Sequence, residues 1–352
     1  MRDSAVHRLH PPCGGGGIWD FLVRSETEMP KKGILEKLQE GPVLGDGGYL
    51  LELERRGYVK AGPFTPEVAV EHPEALRQLQ QEFLRAGSEV LQVCTFYASA
   101  EKLKTAGYAN EVESINRQAV RIAREVAQDQ ALVAGNLSLT WQYHPDESSS
   151  KERVLSLFRQ QVALGKEEGV DFFIAETFHY LGEALLALQA IKETGFPAMI
   201  TFNFKKPPLS LDGYSPAECG RILEDQGADI VGTNCGREPK RMLPLVEAMR
   251  NAVKCHVAAQ PAGYHSSDEI PYFMGLPQFP VELDPLQLTR LEMAEFARQA
   301  RDLGVGYIGA CCGVAAAHIR SMAEALGRHP PASAKSPDLK LHPILGPKIT
   351  AG

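Results

Sequence analysis

The chain has 352 residues, 44% apolar and 23% charged, a soluble globular composition with no apolar run of the roughly 18 residues that a transmembrane helix needs. Its formal net charge of −7 comes with no Lys/Arg block long enough to follow a phosphate backbone, so neither nucleic acid nor a membrane is the expected partner. Seven cysteines, an odd number, occur without an export signal, and a reducing cytoplasmic setting is expected, where clustered cysteines mean metal or catalysis more often than disulfides.

Residues 1–31 hold scattered charges and no apolar h-region, so they read as a flexible leader rather than a secretory signal. From residue 42 onward one pattern recurs: a short apolar, β-rich run ends in small or polar residues, and a longer amphipathic stretch follows. The first run is "PVLGDGG" (42–48), and the helical stretch "PEALRQLQQEFLRAG" (73–87) follows, with Leu76, Leu79, Phe83 and Leu84 on one face. Next come "SEVLQVCTFYAS" (88–99) and a helix over 110–128, then "ALVAGNLS" (131–138) and a helix over 150–169. "VDFFIAETF" (170–178) precedes a helix over 181–195, and "PAMITFNF" (197–204) precedes one over 215–227. The last runs are "ADIVGTNCG" (228–236), "KCHVAAQPAGYH" (254–265) and "VGYIGACCG" (305–313), followed by helices over 238–253, 285–304 and 315–327. Several helices close on Gly, the expected C-cap signal.

Eight strand–helix alternations with near-continuous apolar strands predict a (β/α)8 TIM barrel over residues 32–328. A doubly wound open sheet is the competitor, but "GDGGYLLELERRG" does not fit the glycine-rich phosphate loop of that fold. Residues 329–352, rich in Pro and Lys, read as a short C-terminal tail that lies along the barrel or reaches a neighbouring subunit.

A barrel builds its site from the C-terminal ends of its strands. Here those ends carry Asp46 with Gly47 and Gly48, then Cys94-Thr95-Phe96-Tyr97, Asn136, Glu176 with Thr177, Asn203, Asn234-Cys235, Gln260 with His265, and Cys311-Cys312. Cys235, Cys311 and Cys312 are the specific signal. Three thiolates and one open position describe a zinc site whose fourth ligand is water or substrate. Such a site suits a substrate that is itself a thiol, because ligation deprotonates it. Two other readings stay open at this point: the cysteines are small buried core residues, or Cys311 and Cys312 form a strained vicinal disulfide. Asp46 and Glu176 read as binders of a substrate ammonium, as acid and base, or as helix-capping and strand-end charges. Cys13, Cys94, Cys219 and Cys255 read as structural, and His256 as a core histidine.

Over about residues 32–328 the chain resembles the zinc-dependent homocysteine S-methyltransferases, on the betaine–homocysteine branch. The resemblance is carried by "KKGILEKL", "GDGG", "ERRGYVKAGPFTPE", "VEHPEALRQL", "EFLRAGSEVLQVCTFYAS", "ALVAGNLS", "FFIAETF", "GTNCG", "QPAGYH" and "GVGYIGACCG". It implies a (β/α)8 barrel with Zn2+ on Cys235, Cys311 and Cys312, and Tyr97 as the fourth ligand when homocysteine is absent. It further implies that Asp46, Gly47, Gly48 and Glu176 hold the amino-acid end of homocysteine. The methyl-donor pocket would comprise Phe64, Phe96, Tyr97 and Thr177. Two of these depart from the betaine pattern, which has Trp at the position of Phe64 and Tyr at that of Thr177. The expected function is therefore zinc-dependent methyl transfer from betaine or a similar onium donor to homocysteine, giving methionine and dimethylglycine. S-methylmethionine and dimethylsulfoniopropionate are the rival donors. The homocysteine module of a cobalamin-dependent methionine synthase and a non-catalytic zinc or redox-sensing barrel are the rival roles. A homo-oligomer is expected, with small molecules as the other partners.

Overall fold

A computed structural model describes residues 31–338 and, beyond them, 341–342, 344 and 346–350. The predicted leader falls outside the described residues, apart from Lys31.

The chain runs α1 (Ile34–Glu40), β1 (Val43–Leu44), α2 (Leu50–Arg55), α3 (Val68–Glu71), α4 (Pro73–Ala86), β2 (Val90–Gln92), α5 (Ala100–Lys104), α6 (Val112–Ala127) and β3 (Leu132–Ser138). It continues with α7 (Ser148–Glu167), β4 (Phe172–Phe178), α8 (Leu181–Lys192), β5 (Ala198–Phe202), α9 (Pro216–Asp225), β6 (Ile230–Asn234), α10 (Pro239–Arg250) and β7 (His256–Gln260). Last come α11 (Arg290–Asp302), β8 (Tyr307–Ile308), α12 (Ala316–Ala325) and a hairpin of β9 (Leu341–His342) with β10 (Gly346–Thr350). Strands β1 to β8 form one parallel sheet in the order β1-β8-β7-β6-β5-β4-β3-β2, the (β/α)8 barrel expected from the sequence.

The seam between β1 and β2 is closed by other means than a ladder. The Glu89 amide donates to the Leu44 carbonyl at 2.8 Å, while the Glu89 and Asp46 carboxylates accept from the Leu44 and Gln92 amides at 2.9 and 2.7 Å. Side-chain oxygens thus satisfy backbone donors that a regular parallel pair would have satisfied.

Along β3 and β4 the alternation of the pleat sorts residues by face. Leu132, Ala134, Phe172 and Ile174 fill the barrel with Val43, Val90, Met199, Ile230, Ala258 and Tyr307. Val133, Leu137, Phe173 and Ala175 face the surrounding helices. Helix α1 plugs the bottom of the barrel with Ile34 and Leu38, each burial contributing about 1.5–3 kcal/mol. The tail begins along the barrel: Arg328 donates to the Pro42 carbonyl, and Ser333 to Glu324 at 2.8 Å.

Several strands are shorter than the sequence runs suggest, because "GDGG", "CTFY", "PAGYH" and "GACCG" leave the ladder at the top of the barrel. Those segments build the site.

Candidate functional site

A cavity of about 310 Å³ opens at the C-terminal ends of the strands. Its wall includes Cys235 after β6 and Cys311 and Cys312 after β8. Their sulfur atoms all lie within 4.8 Å of one another, with Cys235 Sγ 3.8 Å and Cys311 Sγ 3.9 Å from Cys312 Sγ. A tetrahedral ion with metal–sulfur bonds of about 2.3 Å separates its sulfurs by about 3.8 Å. The donor set is soft and the spacing matches, so this cluster could hold a metal ion. A vicinal disulfide, with sulfurs about 2 Å apart, is not what the chain adopts. The thiols also share charge unevenly. Contact with Cys311 and Cys312 holds the Cys235 thiol well below its ordinary pKa, and contact with Cys235 pushes the other two well above theirs.

Glycines bring the backbone close enough to form this cluster. A Cβ on Gly48 would lie 2.8 Å from the Cys311 carbonyl oxygen and 3.0 Å from Cys312 Cα, and one on Gly47 would lie 2.3 Å from the Val314 carbonyl oxygen. Only glycine lets the segment after β1 pack against the cysteine turn.

Beneath the sulfurs lies a buried polar network. Glu176 Oε1 accepts from Asn136 Nδ2 at 2.6 Å and from Gln92 Nε2, and its Oε2 accepts from Asn234 Nδ2 at 2.7 Å. Asn234 Oδ1 in turn accepts from the Thr201 hydroxyl and the Thr177 amide, each at 2.8 Å. Burial pushes Glu176 up to about 8, against the hydrogen bonds that favour its ionised form. Burial likewise raises Asp46 to about 7, opposed by the Tyr49 hydroxyl at 2.6 Å and the Gln92 amide. Glu176 lines the cavity together with Gly47 and Gly48, whereas Asp46 stands behind Tyr49 and Gln92 and is not part of the wall.

Phe64, Phe96, Tyr97 and Thr177 all line the same cavity. The Phe96 and Tyr97 ring centroids are 4.2 Å apart, and Phe64 comes from the loop between α2 and α3, 6.4 Å from Phe279. Burial raises the Tyr97 phenol to about 12. Five of the six non-glycine residues with left-handed backbone among the described residues belong to this wall: Phe64, Tyr97, Trp141, Thr177 and Cys235. Such concentrated backbone strain is characteristic of functional sites. At Thr177, with φ of +68°, it has a visible consequence. The register of β4 on β5 shifts there, so Glu176 faces inward while Phe178 packs outward against Phe158.

The wall also includes residues not singled out from sequence, among them Tyr49, Gln92, Trp141, His179, Lys205, Met274 and Phe279. His179 follows its strand end by one position and Trp141 and Lys205 follow theirs by three, so reading on into each strand-to-helix loop would have found them. Cys94 also faces the cavity, but burial pushes its thiol up to about 12 and leaves it unreactive. His265 lies away from it, 3.5 Å from both Glu238 and Glu292, and His256 is half-buried at the start of β7.

Comparison with known proteins agrees with this geometry. Residues 43–326 match the family model described as homocysteine S-methyltransferase. Betaine–homocysteine S-methyltransferase 1 of Mus musculus is 46% identical over 321 residues, covering 87% of this chain and 78% of the relative. S-methylmethionine–homocysteine S-methyltransferase BHMT2 of Pongo abelii is 43% identical over 319 residues, covering 87% and 85%. The metallated form of the homocysteine methyltransferase MmuM from Escherichia coli shares the fold, with a TM-score of 0.66 at 19% identity over 82% of this chain and 98% of that one. The chain belongs to the homocysteine S-methyltransferase family.

Proposed function

We propose that the protein transfers a methyl group from a small onium donor, betaine by first choice, to the sulfur of homocysteine, giving methionine. The observation that carries this reading is the three-sulfur cluster set in an aromatic cavity. Cys235, Cys311 and Cys312 would hold Zn2+, with Tyr97 beside them as fourth ligand until a thiol substrate takes that place. When bound, the ion supplies the charge that keeps a ligating thiol deprotonated at neutral pH.

The chain's residues account for the rest. Glu176, with Asp46 behind it, sets negative charge under the wall formed by Gly47 and Gly48, where the amino-acid end of homocysteine would sit. Binding an ammonium there favours the ionised carboxyls against the burial that raises their pKa. Phe64 and Phe96 offer π faces to a cationic donor, Tyr97 and Trp141 line the same cavity with the Lys102 ammonium 4.1 and 6.0 Å from their ring centroids, and Thr177 lines the same space. The homocysteine sulfur forms a bond to the methyl carbon as the donor's onium–carbon bond breaks, and the bonding pair leaves with the donor, which becomes neutral at that atom. A positive donor and a negative sulfur lose their charges together, so a cavity lined largely by apolar groups favours the step over water. No general base is required for it.

One relative acts on S-methylmethionine, which keeps a sulfonium donor as the second reading. Small molecules in a reducing cytoplasmic setting, with a homo-oligomeric protein, complete the proposal. The test is turnover of homocysteine with betaine, S-methylmethionine and dimethylsulfoniopropionate by the zinc-loaded protein and by Cys311→Ala. Methionine formation that Cys311→Ala loses together with its zinc supports the reading. A Cys311→Ala variant retaining both metal and activity would overturn the ligand assignment, and inactivity of the zinc-loaded parent with every donor would favour a non-catalytic sensor.

A further inference from the structure

The polar groups of the cavity are unevenly distributed, and the asymmetry bears on the shape of the donor. Glu176 is the one carboxylic acid among the described lining residues, and it belongs to the network under the sulfurs. At the end of the neighbouring strand stands Lys205, half-buried, three residues past the end of β5. Its backbone is fixed by Arg237, which is itself buried and donates from Nε to the Phe204 carbonyl at 3.0 Å and from a terminal nitrogen to the Lys205 carbonyl. No carboxylate lies within ion-pair distance of the Lys205 ammonium among the described residues. A cation held on a fixed backbone at the edge of a cavity, without an acid beside it, lacks its counter-charge.

A second observation lies two residues earlier. Asn203 lines the same wall, is 3% exposed, and has neither its amide nitrogen nor its amide oxygen hydrogen-bonded. Buried amides are costly to leave unpaired, and those that are so in a native site commonly await a ligand. His179, on the neighbouring strand end, does not compete for an anion. Its Nδ1–H donates to the Asn203 carbonyl at 3.1 Å, and burial, with the Lys205 ammonium nearby, lowers its pKa; in the neutral ring Nε2 presents a lone pair.

We infer that the β5 rim is the carboxylate subsite of the methyl donor, anchored by the Lys205 ammonium with the Asn203 amide N–H as its second donor. The inference rests on the methyl-transfer reading and narrows it to a substrate class: small onium carboxylates without a free amino group. Phe64 comes from the loop between α2 and α3 and Phe96 follows β2, while Asn203 and Lys205 follow β5, so a zwitterion spans the cavity with its onium end toward the Phe64 and Phe96 rings and its carboxylate toward Lys205. The Tyr97 ring already has the Lys102 ammonium 4.1 Å from its centroid. An amino-acid donor such as S-methylmethionine brings an ammonium to the same rim, where Lys205 repels it and no acid compensates.

The experiment compares the zinc-loaded full chain with Lys205→Gln and Lys205→Arg. Each is assayed with betaine, with betaine amide, whose carboxylate is neutralised, and with S-methylmethionine; dimethylglycine binding is followed by calorimetry without turnover. The parent is expected to favour betaine over its amide by about ten-fold or more in kcat/KM, as loss of a charge-assisted contact implies. Lys205→Gln should raise the betaine KM and the dimethylglycine Kd by about ten-fold, and should reduce the preference for the carboxylate to about two-fold or less. Lys205→Arg should keep most of that preference. An unchanged betaine KM in Lys205→Gln, or a rise confined to the homocysteine KM, would overturn the inference. Lys205-dependent binding of dimethylglycine to a protein that methylates no thiol would instead retain the subsite and sink the methyl-transfer reading.

Discussion

Glu176 is held in place by three amide donors, from Gln92, Asn136 and Asn234, and still has its pKa pushed up to about 8 by burial. A carboxyl kept at that cost is expected to meet a cation, and in the proposed reaction that cation is the homocysteine ammonium. Glu176→Gln keeps the shape and removes the charge. The homocysteine KM of that variant should rise by about ten- to a hundred-fold, the worth of one hydrogen bond to a charged group, while zinc content stays at the parent level. Steady-state kinetics with zinc analysis on the same samples checks both. The acids and cysteines could be picked out of the sequence because strand ends are where barrels keep such groups. Their partners were harder to see. Gln92 sits inside what reads as an apolar run, and nothing local marks it as the donor that links Asp46 to Glu176.

Among the elements, the turn after β8 and the segment after β1 depend on each other. Gly48 packs against the carbonyl of Cys311 and the Cα of Cys312, backbone atoms that have no softer side chain to yield in their place. Gly48→Ala is expected to displace the cysteine pair, weakening zinc binding at least about ten-fold in a chelator competition and destabilising the fold by about 1–3 kcal/mol. The eight alternations were legible because a parallel strand buried on both faces reads as an unbroken apolar run, and the intervening helices are long enough to show their period. Helices α1, α2, α3 and α5 were not, since four to seven residues are too few for a 3.6-residue period to stand out. The strand bounds were read too long at the top of the barrel for a related reason. "CTFY" and "GACCG" are apolar enough to continue a strand, but they turn out of the ladder, and Tyr97 adopts a left-handed backbone in doing so.

Across the whole molecule, the two buried acids link the site to stability. Asp46 and Glu176 have folded pKa values raised to about 7 and 8 from ordinary values of 3.8 and 4.5, so the folded state holds their protons more tightly than the unfolded chain does. Their contribution is most favourable below those ordinary values and is lost as pH rises through the folded ones. Denaturant unfolding of the metal-free protein should therefore show stability falling from pH 5 to pH 8. The fall should be shallower in Glu176→Gln by on the order of 3 kcal/mol, since each pKa unit is worth about 1.4 kcal/mol. The cavity as a whole was only partly legible. Its metal-binding and acidic residues lie in motifs, but Trp141, His179, Lys205 and Met274 reach it from loops whose convergence is a property of the closed barrel and not of any local pattern.

The central claim is that the three-cysteine cavity moves a methyl group intact from an onium donor to homocysteine sulfur. It is tested most directly by supplying the zinc-loaded protein with homocysteine and betaine bearing deuterated N-methyl groups, and measuring both products by mass spectrometry. The expected result is methionine carrying an intact deuterated methyl, formed in equal amount with dimethylglycine. Saturating homocysteine and bound zinc with no labelled methionine from betaine, or from similarly labelled sulfonium donors, would contradict it.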